Sequence, residues 1–375
     1  MRATPIWPTP VAHLTRHSPD TVQLYFGPAT LQATAARFQA GFDGLVTYAV
    51  KANASDEVLA NLVAAGIQAF DVASPQEMYA VRAAHGQAVL HYNNPVRSAD
   101  EIATAIAMNV ASYSVDCSNE LAKLHAVPKG TEISVRLALP VSGAAYDFGA
   151  KFGVGPEVAA KLLQQVVAAG FTPSLTFHPG TQCADPEAWA AYINAAAKVA
   201  KAADVRLSRL NVGGGFAAHR IGQSPDLEAI FTRIKAATQQ AFGADAPDLV
   251  CEPGRAMVAD AFTLATRVKA LRADGSLFLN DGIYGGLAEA RDMYVVDRIK
   301  VISPQGDMRQ GTPLPRVLFG PTCDSIDRLP EPVALAGDVQ EGDYVLFAGM
   351  GAYSQAINTG FNGYGLSAPV TVAQP

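Results

Sequence analysis

The chain has 375 residues, too many for one small core, so two domains are expected. Hydrophobic residues make up 49% and charged residues 17%, and the net charge of −6 comes with no basic run, which argues against nucleic acid and anionic membrane as partners. No apolar run reaches membrane-spanning length, residues 1–5 lack the apolar core of a signal peptide, and Cys117, Cys183, Cys251 and Cys323 show neither CxxC nor zinc spacing, so free thiols in a reducing cytoplasm and no metal site are expected.

Taken in order, the pattern opens with a strand over 22–26 and a helix over 31–40. Strand and helix then alternate: 45–50 with 56–65, 69–73 with 75–85, 88–92 with 99–108, and 111–115 with 119–125. The later units pair 132–139 with 156–169, 174–177 with 186–202, 207–212 with 227–242, and 248–251 with a short helical segment near Met257. In the fifth helix Val158, Leu162, Leu163, Val166 and Val167 share a face, and Gly170 closes it. Ser74 before Pro75 marks a helix start. Eight such units predict an α/β fold, a closed (β/α)8 barrel, with an open doubly wound sheet as the alternative. Beyond residue 262 the helical pattern stops. Residues 262–271 and 276–279 flank Asp274-Gly275 as a β-hairpin, and further strands are expected at 316–319, 343–347 and 369–372. The expected division is a barrel over 27–262 and an all-β domain, a β-sandwich or β-barrel, from 1–26 and 263–375.

Chemistry-bearing residues gather at the C-terminal ends of the expected barrel strands, the face where barrel active sites are built. Lys51 ends the first strand. Asp71 and Ser74 follow the second, Arg136 lies in the fifth, and His178-Pro179-Gly180-Thr181 follows the sixth. Gly213-Gly214-Gly215 follows the seventh and Glu252-Pro253-Gly254-Arg255 the eighth. A lone strand-end lysine normally snorkels to water. Here a buried one would have a depressed pKa and could form a Schiff base with an aldehyde. Glycines without side chains let N–H groups cradle a phosphate, although a tight turn explains a lone GGG as well. Arg255 adds a charged fork. A carboxylate such as Glu252 can keep a pyridine nitrogen protonated. His178 can stack on a ring or simply be a satisfied strand-end histidine. The set suits pyridoxal phosphate. In the β domain, Gly320-Pro321-Thr322-Cys323-Asp324 offers a thiol to deliver a proton and a carboxylate to hold a cationic amine. Gly349-Met350-Gly351-Ala352-Tyr353 places a tyrosine on a glycine-flanked loop.

In order, YAVKAN, FDVAS, HPGTQ, NVGGGF, CEPGR, NDGIYG, GPTCDSID, GMGAYS and FNGYG run through nearly the whole chain, from Leu24 to Val372. With these motifs the sequence resembles the fold-type III pyridoxal-phosphate decarboxylases, an alanine-racemase-like barrel followed by a β domain, and most of all their ornithine decarboxylase branch. The resemblance implies that Lys51 holds the cofactor aldehyde, His178 stacks on the ring and Glu252 pairs with the pyridine nitrogen. It implies that Gly213, Gly214, Gly215, Gly254, Arg255 and Tyr353 bind the cofactor, chiefly its phosphate, with Arg136 and Thr181 in the same set. Asp71 and Glu77 match acids near the lysine. Cys323 would reprotonate the α-carbon, Asp324 would receive the distal amine, and Tyr284, Asp292 and Phe361 would face the substrate. It further implies a homodimer with shared sites and an ion pair between Lys151 and Asp327 across the interface.

Two departures stand out. Thr181 replaces the family's serine after the ring histidine. The Tyr-Asp pair that contacts the substrate amine after NDGIYG is not reproduced in Gly286-Leu287-Ala288-Glu289-Ala290-Arg291-Asp292-Met293-Tyr294. An acid beside the proton donor favours a distal cation. L-Ornithine, giving putrescine for polyamine biosynthesis, ranks first. Lysine, alone or with ornithine, ranks second, and diaminopimelate third, since that substrate goes with Glu-Ser where this chain has Asp324-Ser325. Arginine goes with a longer chain, and GPTCDS speaks against carboxynorspermidine. A non-catalytic regulatory relative would have lost the lysine, cysteine or glycines, and a racemase would need an opposed tyrosine.

Overall fold

A computed structural model of the chain describes residues 5–140 and 151–375. The first four residues of the expected 1–26 segment lie outside the described residues. The chain forms two compact units. One holds Ala35–Ala217 and Pro225–Gly254; the other holds the described residues up to Thr34, Ala218–Ser224 and Arg255–Pro375.

Strand β1 is Gln23–Phe26. The barrel strands are β2 (Leu45–Ala49), β3 (Ala69–Val72), β4 (Val89–Tyr92), β5 (Ser112–Val115), β6 (Glu132–Leu137), β7 (Thr172–Phe177), β8 (Arg209–Asn211) and β9 (Asp248–Cys251). They close in sequence order, every pair parallel, and β9 returns to β2 through Leu45↔Val250. The barrel is therefore closed, and the open-sheet alternative is set aside. All four residues of β3 and of β5 are buried, as expected where helices cover a sheet whose other face is the barrel interior.

Packing beneath two loops fixes where the barrel rim lies. The helix Pro186–Ala203 buries Trp189, Tyr192, Ile193, Ala196 and Val199. Tyr192 stacks on Phe177 at 4.6 Å between ring centroids, and Trp189 lies 5.1 Å from Phe216. Each such burial contributes about 1.5–3 kcal/mol. Phe177 is the residue before His178, and Phe216 the residue after the three glycines, so the same contacts anchor both loops.

The β unit carries a seven-stranded sheet in the order β12-β16-β10-β1-β17, with β11 on β10 and β14 on β11. Its strands are β10 (Phe262–Leu271), β11 (Leu277–Leu279), β12 (Ile299–Ile302), β14 (Leu318–Phe319), β16 (Tyr344–Ala348) and β17 (Val370–Thr371), while β13 (Leu314–Arg316) and β15 (Val333–Leu335) pair separately. The expected hairpin is present as β10–β11. The expected strand at 316–319 is two short strands, because Val317 separates β13 from β14. The N-terminal strand joins this sheet, antiparallel to β10 and parallel to β17. Its core is Leu14, Tyr25, Ala265, Ile302, Tyr344, Leu346 and Val372. A helix, Pro10–His17, was not expected. Thr9 caps it by accepting from Ala12 N–H at 3.2 Å, and Pro10 opens it.

Candidate active site

Lysine 51 is not on the strand. Strand β2 stops at Ala49, and Lys51 sits in the 3-10 turn Val50–Ala52. The turn is held from several directions. Tyr48 Oη donates to Asn53 O at 3.0 Å, Thr47 Oγ1 donates to Cys251 O at 2.9 Å, and Ala49 N–H donates to Pro253 O at 3.2 Å. A Cβ on Gly254 would lie 3.1 Å from Ala52 Cβ, so Gly254 lets the end of β9 close onto the turn. The expectation of a buried lysine is corrected: its side chain is 47% exposed, because the turn lifts it off the strand. Nζ lies 3.8 Å from Asp71 Oδ2.

Asp71 is buried at the end of β3. Burial, reinforced by Glu252, pushes its carboxyl well above the usual carboxylate range, while Lys51 pulls the other way. Glu77 accepts from Ala73 N–H at 2.7 Å, and its own N–H donates to Ser74 Oγ at 3.3 Å, closing the start of the helix Pro75–Ala84. Burial raises the Glu77 carboxyl, and Lys51 opposes that too. Both acids therefore feel the lysine, as the resemblance implied.

Glu252 is buried just past β9, and its Oε1 accepts from Asn93 Nδ2 at 2.6 Å and from Asn211 Nδ2. Two amide donors on one oxygen fix the carboxylate's orientation. Sequence reading missed both asparagines. Asn211 was visible inside NVGGGF, whereas nothing marked Asn93. Arg136 lies on β6 with its guanidinium 5.3 Å from the Phe152 ring; burial lowers its pKa, and Glu252 and Asp71 counter this.

His178 Nδ1 accepts from Gly180 N–H at 3.0 Å, which leaves the ring proton to Nε2. Burial, with the charges of Lys51 and Arg136, holds its pKa well below normal, so the ring is neutral. The three glycines run alongside it. A Cβ on Gly214 would lie 3.3 Å from His178 Nε2 and 2.7 Å from Glu252 O. Gly213 and Gly215 have φ of +71° and +83°, and a Cβ on Gly215 would meet Gly180 O at 2.4 Å. Cys183 N–H donates to Gly215 O at 2.9 Å, tying the loop that carries buried Thr181 to the glycines. Lysine, neutral histidine, oriented carboxylate and side-chain-free backbone are all present in this one unit. That donor set fits pyridoxal phosphate: an amine for the aldehyde, a flat uncharged face for the ring, an acid for the ring nitrogen and a glycine cradle for phosphate.

The β unit carries the other expected residues. Arg255 faces the Tyr353 ring at 4.9 Å and forms a two-point ion pair with Glu289. Tyr353 has φ of +62°, a left-handed conformation imposed by a loop pinned to β10 through Gly349 N–H and Met350 N–H on Phe262 O. Cys323 is exposed, and its N–H donates to Asn362 Oδ1 at 3.0 Å. Asp324 accepts from Tyr284 Oη at 2.6 Å, and the Tyr284 ring lies 5.0 Å from Phe361, so these three expected residues do come together. Asp292 forms an exposed ion pair with Arg291 at 3.1 Å. Asp327 is 2% exposed and works inside its own unit, accepting from Ile283 N–H, Thr322 N–H and Thr322 Oγ1. It knits NDGIYG to GPTCD. Lys151, the residue expected opposite it across an interface, is exposed. All four cysteines are free thiols.

Fold and donor set together define a barrel enzyme built around pyridoxal phosphate. Residues 29–259 match the family model described as pyridoxal-dependent decarboxylase, pyridoxal binding domain. The chain is 32% identical to the chloroplastic ornithine decarboxylase of Nicotiana glauca, over 86% of this chain and 77% of that one. It is 31% identical to the lysine/ornithine decarboxylase of Selenomonas ruminantium, over 86% and 82%. The arginine decarboxylase of Paramecium bursaria Chlorella virus superposes with a TM-score of 0.85 at 25% identity, covering 96% of this chain and 97% of that one. The chain belongs to the pyridoxal-dependent decarboxylase family, so it is a decarboxylase whose cofactor is pyridoxal phosphate. No helix among the described residues is long and apolar enough to cross a membrane.

Proposed function

We propose that the protein decarboxylates L-ornithine to putrescine. The observation that carries this reading is the Tyr284–Asp324 hydrogen bond beside Cys323. Tyr284 holds the Asp324 carboxyl below its usual range, so it stays anionic and suits a distal ammonium. Ornithine decarboxylases among the relatives favour ornithine over lysine.

Bound pyridoxal phosphate supplies the electron sink that lets the α-carboxylate leave as carbon dioxide. The chain's residues do the rest. Lys51 would hold the cofactor at its aldehyde, and its side chain is half-exposed and so open to substrate. Glu252, fixed by Asn93 and Asn211, keeps a proton on the pyridine nitrogen. His178, neutral, would offer the cofactor ring a flat face that adds no charge. Gly213, Gly214, Gly215 and Thr181 would hold the phosphate, and Arg255 and Tyr353 are the further phosphate ligands that the family resemblance implies. Cys323 Sγ delivers a proton to the α-carbon, and Asp324 receives the distal ammonium with Phe361 beside its stem. We further propose a cytoplasmic homodimer with shared sites. Cys323 is exposed and bonded to Asn362, and Ile326 and Phe361, exposed apolar side chains, lie close to Cys323 and next to Asn362 in sequence, a surface that suits a partner subunit.

Carbon dioxide release from ornithine, lysine, arginine and diaminopimelate tests the substrate. Ornithine should be turned over with the highest kcat/KM. A higher value for lysine or arginine overturns the ornithine assignment, and turnover of diaminopimelate alone overturns the role of Asp324.

A further inference from the structure

Within FNGYG, Phe361 has a place beside the substrate tail, and the residue after it is bonded to the loop of the proton donor. Asn362 Oδ1 accepts from the Cys323 backbone N–H at 3.0 Å, across 39 positions of chain. Asn362 itself has φ of +54° and ψ of +18°, left-handed backbone in the middle of the short 3-10 turn Phe361–Gly363. Asn and Asp enter that region more readily than other side chains. The turn is held from within. Phe361 N–H donates to Thr359 Oγ1 at 3.3 Å, Gly363 N–H to Gly360 O at 3.0 Å, and Tyr364 N–H to Phe361 O at 3.1 Å. Leu366 N–H closes the loop on Asn358 Oδ1 at 3.0 Å.

The same loop also holds Tyr284. Thr359 N–H and Thr359 Oγ1 both donate to Tyr284 O at 2.9 Å. Tyr284 Oη in turn donates to the Asp324 carboxylate, on the residue after Cys323. Segment 359–362 is therefore a bracket with one arm on Tyr284 and the other on Cys323. On either side of Cys323 the loop has other anchors: Thr322 N–H donates to Asp327 Oδ2 at 3.1 Å, and Asp327 N–H donates to Asp324 O at 3.0 Å. Asn362 is the side chain that holds Cys323 itself. The thiol leaves the chain one bond away from the N–H that Asn362 grips, so a pivot there displaces Sγ directly. Proton delivery falls steeply with such misplacement. Left-handed backbone at a side-chain-bearing residue persists where its surroundings over-determine it, and the bonds around Asn362 do so.

We propose that Asn362 is a positioning residue for proton delivery: by holding the Cys323 backbone N–H it aims the thiol at the carbon to be protonated. This rests on the reading of Cys323 as the proton donor. Asn362 needs no contact with substrate or cofactor and acts through Cys323.

The test counts where the proton goes. After carbon dioxide leaves, a proton on the α-carbon gives the amine product. A proton placed instead on the cofactor carbon that carries the amino group gives, after water adds, an aldehyde, and the amino nitrogen stays on the cofactor as pyridoxamine phosphate. The holoenzyme is supplied with whichever amino acid it turns over fastest, and amine and aldehyde are quantified. Asn362→Gly suits the left-handed backbone and removes only the acceptor. It should raise the aldehyde share by about 2- to 10-fold, the range for one lost hydrogen bond, with KM within about twofold. Hydrogen exchange of the Cys323 amide, read by mass spectrometry on the cofactor-free protein, should speed up by a similar factor. Asn362→Asp keeps both an acceptor and the backbone preference and should restore both readouts. Asn362→Ser carries the test if the Gly variant does not fold. An unchanged aldehyde share overturns the proposal, as does unaccelerated exchange. Lower turnover without a change in the share would make Asn362 merely structural and overturns it too. Cys323→Ala separates the two readings. If it leaves the aldehyde share unchanged, the assignment of Cys323 is what fails. If it raises the share while Asn362→Gly does not, only the positioning role fails.

Discussion

The Tyr284 hydroxyl donates to Asp324 Oδ2 at 2.6 Å, and the other oxygen of Asp324 accepts from Ile326 N–H at 3.1 Å. Asp324 is thus aimed as well as charged. Asp324→Asn should lower kcat/KM for ornithine by about 10- to 100-fold, the range for a lost bond to a charged group, mostly through KM. Tyr284→Phe should act in the same direction and less, because the carboxylate keeps its charge. Steady-state carbon dioxide release checks both. A pure kcat effect would count against a binding role.

The glycine cradle makes a steric prediction. A Cβ on Gly214 would sit 2.7 Å from the Glu252 carbonyl oxygen, and backbone cannot swing aside as a side chain can. Gly214→Ala should cost about 1–3 kcal/mol of stability and weaken cofactor binding. Gly86→Ala is the control, since nothing lies within 4 Å of a Cβ there. Melting of both variants with and without pyridoxal phosphate checks this; equal behaviour would refute it.

His91 sets a pH dependence inside the barrel. Its Nδ1 is 2.7 Å from Ser112 Oγ, its Nε2 is buried without a partner, and burial, aided by Arg209, pushes its pKa down to about 4. The folded pKa lies below the ordinary 6.5, so its contribution is present above pH 6.5 and is lost as pH falls through about 4. Over that window the loss is roughly 3 kcal/mol. His91→Gln should flatten the acid limb of the stability curve, measured by denaturant unfolding at each pH. Parallel curves for wild type and variant would show that His91 does not titrate in this way.

Shared sites are testable by complementation. Lys51→Ala should lose the visible absorbance of bound cofactor together with activity, while Cys323→Ala should keep the cofactor and misdirect protonation of the product. Mixed dimers of the two should regain part of the activity, because one site then has both residues. Verified mixed dimers without activity would rule out sharing.

The eight-unit alternation was legible because parallel strands buried on both faces read as continuous apolar runs, with helices of clear periodicity between them. The rim residues were legible because motifs at strand ends are short, and chain order follows barrel order. Strands β12 and β15 escaped notice, since Ile299–Ile302 and Val333–Leu335 are too short for a periodic signal. The turn that lifts Lys51 off β2 escaped for a related reason. Val50-Lys51-Ala52 has the composition of a strand, and bonds from Tyr48, Thr47 and Ala49 to other segments impose the turn.

The sequence by itself determined the barrel, the cofactor and the set of residues that chemistry requires, because each of these depends on residue type and order along the chain. Tertiary structure decided how those residues are oriented. Asn93 and Asn211 fix Glu252, Gly180 sets the His178 tautomer, Tyr284 charges Asp324, and Glu289 locks Arg255. These partners are separated in sequence by as many as 159 positions, from Asn93 to Glu252, and polar side chains carry no periodic mark of whom they will meet. Only folding brings donor to acceptor, and burial then makes the meeting strong.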